Sequence, residues 1–326
     1  MSTAATADRV PRSPARPELV RRDLVHRANE QEILVSPPGR ANGAGYDSMT
    51  VTTGISPYYL DHPGPYWLDA LLLTEACRQA ALSAAHEFEG LSSDIAFFFN
   101  SIDVEITDPA ALAAVRGELT LHTEFEQLQL RVDGSPKQIA YAQTGIDNAG
   151  REVLRTTMAV QGVPKRRYED LRAYQRDGTP PPTTAVLRSD PGRRAGLSTP
   201  HSVARSESAN VALARRRTEE GVSVAELAPD FANASLFDHD YDHFPAMVLI
   251  EAGRQLVLAD TPWPAGHVVT AVRATFDHFA ELDRATRLVA RHSGRWVDVD
   301  CVQDGLVVTR MSFALAEAGT DGGDAS

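Results

Sequence analysis

Two segments of the chain carry an acidic residue where a helix should be apolar. In Leu68 to Gln79, LDALLLTEACRQ, the leucines at 68, 71 and 72 stand seven, four and three residues before Glu75, which puts all four on one face of an α-helix. In Phe244 to Gln255, FPAMVLIEAGRQ, Glu251 follows Met247, Val248, Leu249 and Ile250 and precedes Leu256, Val257 and Leu258. That helix is apolar nearly all round and should be buried. A carboxylate in such surroundings is costly unless it is paired, hydrogen-bonded or protonated. Arg78 and Arg254 each stand three residues after their glutamate, close enough to pair. Two readings are open. The Glu–Arg bridge can merely orient its helix, or the carboxylate can act as acid or base beside an anion-binding guanidinium. Burial would raise the glutamate pKa and the arginine would lower it, so spacing alone leaves the net direction open.

Histidines precede both helices: His62 in LDHPGPYW and His239 in FDHDYDHF, with His243 a rival to His239. A lone loop histidine is commonly a surface or packing residue, but recurrence at matching positions favours function. Pro63, Pro65 and Pro245 suit loop-to-helix junctions. A helix N-terminus there offers backbone N–H groups to a thioester oxygen or a phosphate. Cys77 occupies the place that Gly253 has in the second segment and reads as a small core residue, not a nucleophile. No Ser or Cys nucleophile motif stands out, so no covalent acyl-enzyme is expected.

The two segments belong to a longer repeat. Glu75 matches Glu251, Arg78 matches Arg254 and Gln79 matches Gln255 at an offset of 176, and His62 matches His239 at 177. Upstream, VHRANEQEILV from Val25 resembles VARSESANVAL from Val203; both begin Val-x-Arg. Downstream, FNSIDV from Phe99 resembles RATFDH from Arg273, with Asp103 against Asp277. Each half ends in alternating strand patterns, with Asp133-Gly134 and Asp304-Gly305 as hairpin turns. Each half thus reads as a strand, an irregular loop, one apolar helix and several antiparallel strands: an α+β unit with a sheet wrapped around a helix. The expected organisation is a disordered N-terminus (1–20), a first unit (21–165), a linker (166–199) rich in proline, a second unit (200–317) and a disordered C-terminus (318–326).

Bulk properties exclude several classes. Over 326 residues the chain is 43% hydrophobic and 23% charged, as a globular protein is. A net charge of −12 argues against broad nucleic-acid binding. There is no run of 18 apolar residues for a membrane span and no apolar leader segment, so the expected location is cytoplasmic. Two isolated cysteines, Cys77 and Cys301, suggest neither a disulfide framework nor a metal site, and no cofactor is expected. The basic runs Lys165-Arg166-Arg167 and Arg215-Arg216-Arg217 are the best candidates for docking an acidic carrier protein.

A loop histidine, an aliphatic block and Glu-Ala-x-x-Gln resemble the hotdog helix of β-hydroxyacyl-carrier-protein dehydratases, in which a histidine and an acidic residue from opposite protomers form each site. With arginine before the glutamine and two such units in one chain, the sequence is more similar to the A-factor (γ-butyrolactone autoregulator) biosynthesis hotdog family. The likeness runs from about residue 22 to 316, and Val-His-Arg, LLLTEACRQ and DHFPAMVLIEAGRQ carry it most specifically. Ala246 stands where that family usually has glycine, and Asp69-Ala70 where Asp-Pro is usual; both lie near the expected helix starts and bear on acceptor specificity. The resemblance implies a tandem (double) hotdog forming an intrachain pseudo-dimer. It implies transfer of a β-ketoacyl group from acyl carrier protein to the hydroxyl of dihydroxyacetone phosphate, towards a γ-butyrolactone-type signal. Glu75, Glu251, His62 and His239 become the expected catalytic residues, and Arg78, Arg254, Gln79 and Gln255 the expected substrate- or phosphate-binding ones. The helices would run antiparallel, with His62 approaching Glu251 and His239 approaching Glu75. A dehydratase or thioesterase acting on acyl thioesters, or a non-catalytic acyl-binding module, are the alternatives.

Overall fold

The computed structural model describes residues 18–51, 53–62, 69–115, 117–189, 191–261 and 266–317. Most of the expected disordered tails, and Leu68, Pro63 and Pro65, lie outside those residues. From Glu18 the chain is in place: Val20 is buried and its N–H donates to the Val35 carbonyl.

The first half contains β1 (Gly39–Arg40), β2 (Tyr46–Met49), α1 (Ala70–Phe88), β3 (Ile95–Glu105), the short α2 (Pro109–Ala113), β4 (Thr120–Leu130), β5 (Pro136–Ile146) and β6 (Glu152–Pro164). After α3 (Lys165–Gln175) and α4 (Thr184–Leu187) come β7 (Leu213–Glu219), β8 (Val222–Leu227), α5 (Ala246–Ala259), β9 (His267–Phe276), β10 (Arg287–Ser293), β11 (Trp296–Gln303) and β12 (Leu306–Glu317). All the strands join one 12-stranded sheet in the order β1-β2-β4-β5-β6-β3-β9-β12-β11-β10-β8-β7. The right half of that order is the left half in mirror order, with β9 standing for β3 and β7 for β1. The repeat seen in the sequence is therefore an approximate two-fold. At its centre β3 and β9 pair antiparallel, Ser101 opposite Thr275 and Glu105 opposite Ala271. This is the double hotdog: two antiparallel sheets, each wrapped on one helix and joined edge to edge.

Burial follows the expected periods. Along β11, Val297, Val299 and Cys301 are buried while Asp298 and Asp300 are not. The β11–β12 turn has both Asp304 and Gly305 at positive φ, the twist that a two-residue hairpin needs. In α5 every residue from Val248 to Ala259 is buried. Gly253 lets that helix approach β12 closely, since a Cβ there would lie 2.7 Å from the Phe313 ring. Cys77 fills the corresponding place on α1, fully buried, and burial pushes its thiol up to about 12, as befits a packing residue.

The segment between the halves is more than a tether. Arg172 of α3 is buried; its Nη1 and Nη2 donate to the two Glu281 oxygens at 2.9 Å each and its Nε to Asp242 at 3.1 Å, and it lies over the Phe279 ring. Arg176 adds bonds to Glu281 and Asp283, and Asp240 accepts from the Thr184 hydroxyl and the Ala185 N–H. Composition pointed to linker because the segment is rich in proline; α3 within it is held by charge pairs instead of an apolar face.

Candidate active site

Each of the two helices buries its glutamate completely. Glu75 Oε1 accepts from Arg27 Nε at 3.0 Å, Arg78 Nη2 at 2.7 Å and Gln79 Nε2 at 2.7 Å, and its Oε2 from Arg78 Nε at 2.8 Å. Glu251 repeats this. Its Oε1 accepts from Arg205 Nε at 2.8 Å, Arg254 Nη2 at 3.0 Å and Gln255 Nε2 at 2.5 Å, and its Oε2 from Arg254 Nε at 2.7 Å. Each carboxylate is thus clasped by two guanidiniums, one from its own helix and one from the Val-x-Arg corner. Burial alone would raise the Glu75 carboxyl, but Arg27 and Arg78 outweigh it and hold it at about 2. Arg205 and Arg254 likewise hold Glu251 below the usual carboxylate range, against its burial. Both glutamates are ionised at neutral pH.

The Val-x-Arg corners are built alike. The middle residue, His26 in one half and Ala204 in the other, has a left-handed backbone, φ 52° and 56°. A residue with a Cβ adopts this conformation at a cost of roughly 1 kcal/mol, and it turns the next side chain, the arginine, inwards. The glutamines hold the corners in place. Gln79 donates to the Glu32 carbonyl and accepts from the Leu34 N–H; Gln255 donates to the Asn210 carbonyl and accepts from the Ala212 N–H. With both amide protons of each taken by carbonyl and carboxylate, these side chains are braces, in contrast to the ligand contacts expected of Gln79 and Gln255.

The halves complete each other's sites. Arg205 Nη1 donates to the Tyr58 and Asp61 carbonyls, and the Asp61 carboxylate accepts from the Ser206 and Glu207 N–H groups. Reciprocally, Asp238 accepts from the Ala28 N–H at 2.9 Å and lies 3.4 Å from Arg27 Nη1. His62 and His239 follow these two aspartates, so each loop does reach across to the opposite glutamate's cluster. For His239 the group that meets the arginine is Asp238; the imidazole stands further out, its Nδ1 at 2.8 Å from Asp238 Oδ1, stacked on Tyr241, with its side chain 47% exposed. His243 belongs elsewhere: its Nδ1 is 2.6 Å from Asp242, and it packs against Phe98 and Phe279 beside the docked α3.

The two sites differ in charge and access. Asp69 caps α1 by accepting the Leu71 N–H and lies by the second cluster, where His62, Arg254 and Arg205 hold it ionised despite its burial. Pro245 occupies the equivalent place at α5, so the Glu75 cluster has no such carboxylate. The Arg78 side chain is 16% exposed and that of Arg254 7%. Among the described residues neither Arg78 Nη1 nor Arg254 Nη1 has a hydrogen-bond partner, so exposure is what separates the two arginines. No group of three His, Cys, Asp or Glu suited to a metal occurs among the described residues, and no helix there is long and apolar enough to cross a membrane.

Residues 10–162 and 190–310 match the A-factor biosynthesis hotdog domain. The chain belongs to that family. Members similar to it include the 2-oxo-3-(phosphooxy)propyl 3-oxoalkanoate synthases of Streptomyces griseus subsp. griseus, 29% identical over 85% of this chain and 84% of that one, and of Streptomyces coelicolor, 27% identical over 80% and 78%. Among solved structures, the dehydratase domain from the CurF module of curacin polyketide synthase is similar with a TM-score of 0.45 and 12% identity, covering 86% of this chain and 96% of that one. An acyl-ACP thioesterase from Bacteroides thetaiotaomicron gives 0.42 and 10%, covering 78% and 95%. For this family member, sequence reasoning found the helix half of each cluster and missed Arg27 and Arg205. The signal was present in the aligned Val-x-Arg corners, but spacing along a chain does not show which distant arginine folds onto a given carboxylate.

Proposed function

We propose that this protein transfers a β-ketoacyl group from acyl carrier protein to the hydroxyl of dihydroxyacetone phosphate or a closely similar phosphorylated acceptor, and that the Glu75 cluster is the working site. The observation that carries this reading is the rigid, carboxylate-clasped guanidinium pair whose Arg78 has an edge, Nη1, unbonded among the described residues and is more open to solvent than Arg254, 16% against 7%. Fixed in advance by Glu75, Arg78 offers that edge to a phosphate with little side-chain ordering still to be done. The second cluster admits less solvent, the Arg254 side chain being 7% exposed against 16% for Arg78. Relatives named as synthases of a 2-oxo-3-(phosphooxy)propyl ester support the substrate class.

The glutamates then have a different role from the acid–base one expected of them. Bonded at both oxygens by two guanidiniums and an amide, each carboxylate is already taken up as an acceptor; Glu75 and Glu251 orient and compensate the arginines. The acceptor's proton must pass to an imidazole instead. His239, exposed and braced by Asp238, lies on the loop that fastens the Arg27 corner. For the carrier protein, Lys165-Arg166-Arg167 is the better of the two basic runs. Arg166 and Arg167 are exposed and only loosely near Asp133, whereas Arg215 and Arg217 are paired with Glu226 and Glu219.

The test is mass spectrometry of products formed from a β-ketoacyl carrier-protein thioester with dihydroxyacetone phosphate, with unphosphorylated dihydroxyacetone, and with water alone. A phosphorylated β-keto ester formed only with the first acceptor supports the reading. Free acid formed at the same rate whether or not an acceptor is present would make the protein a thioesterase.

A further inference from the structure

At its left-handed corner His26 packs its imidazole onto α1, beside Arg78. There His26 Nε2 lies 3.2 Å from His86 Nε2, and His86 Nδ1 lies 2.7 Å from the Leu91 carbonyl oxygen. The Phe97 ring stacks on His26 and meets His86 edge-on. This chain of contacts assigns the protons. A carbonyl only accepts, so His86 Nδ1 carries a proton and donates to Leu91. Neutral His86 then has its lone pair at Nε2, and His26 must donate to it from its own Nε2. What remains is the lone pair on His26 Nδ1, on a half-buried ring beside Arg78, whose Nη2 donates to the carbonyl of the preceding residue, Val25. The second half has no such pair: Ala204 stands for His26, and Pro262 matches His86 at the repeat offset of 176.

Resting on the transferase reading above, we propose that His26 is the catalytic base of the Glu75 site, with His86 a positioning residue that fixes its tautomer. The acceptor's O–H proton passes to His26 Nδ1 as the oxygen bonds to the thioester carbonyl carbon. When the C–S bond breaks, the carrier's thiolate takes that proton back, leaving a neutral imidazole, the ester and a free thiol. The charged groups around His26 keep it neutral beforehand. Burial comes first, then Arg78 and His86 of α1, Lys165 at the start of α3 and His239 from the opposite loop, and together they hold it at about 3. An acceptor phosphate arriving at Arg78 offsets that positive charge and makes the imidazole more basic, so binding of the phosphate and activation of the base are coupled.

The experiment compares ester formation by the wild type, His26→Gly and His86→Gln with saturating carrier-protein thioester. Glycine accepts the left-handed backbone and leaves a hole of imidazole size. Expected for His26→Gly is a fall of at least 100-fold in kcat, with KM for the acceptor within fivefold, and recovery of at least tenfold on adding free imidazole. His86→Gln is expected to lose about tenfold in kcat and to keep the acceptor KM. The proposal is overturned if His26→Gly keeps a third of the wild-type kcat, or if its loss lies in KM and does not respond to imidazole. No ester from the wild type would instead remove the transferase reading itself.

Discussion

Replacing Glu75 by glutamine would leave Arg27 and Arg78 buried with no carboxylate between them. Breaking such a pair from one side costs about 3–5 kcal/mol, which should appear as a marked drop in thermal midpoint. Arg78→Lys keeps the charge but not the two-pronged grip; ester formation should fall by about 1.4–3 kcal/mol of transition-state stabilisation, read from kcat/KM for the acceptor, with a small change in melting. Acid should destabilise the fold in two windows. Glu75 is held at about 2 against an ordinary value of 4.5, so its contribution is complete above pH 4.5 and is lost as pH falls towards 2. His26 is held at about 3 against 6.5, so the unfolded chain gains protons first, and stability declines as pH falls from 6.5 towards 3. Denaturant melts across pH check both: His26→Asn should flatten the upper window and leave the lower. From the sequence, a carboxylate on an apolar helix face with arginine three residues on was enough to place half of each cluster. The net pKa direction was not legible, because it depends on a second arginine nearly fifty residues away and on a left-handed corner that neither histidine nor alanine announces.

At the level of elements, the two helices show how a repeat tolerates divergence. Gly253 and Cys77 share one position, but α5 sits closer to its sheet. Gly253→Cys should therefore cost about 1–3 kcal/mol, measured as a lower denaturant midpoint, because Phe313 and Met311 must move. The strands and hairpins were legible from alternation and from the Asp-Gly pairs. The docking of α3 was not, since a helix held by Arg172, Asp242 and Glu281 has no apolar stripe to read. The start of that helix also supplies a test of carrier docking. Reversing charge at Arg166 and Arg167 should raise KM for the carrier-protein thioester at least tenfold while leaving kcat near wild type, and the wild-type KM should itself rise with salt.

At the level of the molecule, the β3–β9 seam makes one sheet of two units. Expressed alone, residues 18–164 would present β3 as an unpaired edge, and residues 196–317 would present β9. Self-pairing is the expected result for each, visible as homodimers or larger species in size-exclusion chromatography with light scattering, and mixing the two halves should restore a one-to-one complex.

Because Asp61 and Asp238 each fasten the arginine corner of the opposite half, neither half owns a complete centre. Duplication here did not yield a spare copy free to drift. Any change accepted in one loop is judged by the fit of its sibling's corner, so a cluster that performed no chemistry would still be preserved as scaffolding. Chimaeras that take one half from a relative should fail at this crossing before they fail within either barrel, and exchanging each loop together with the corner it grips is the graft most apt to succeed.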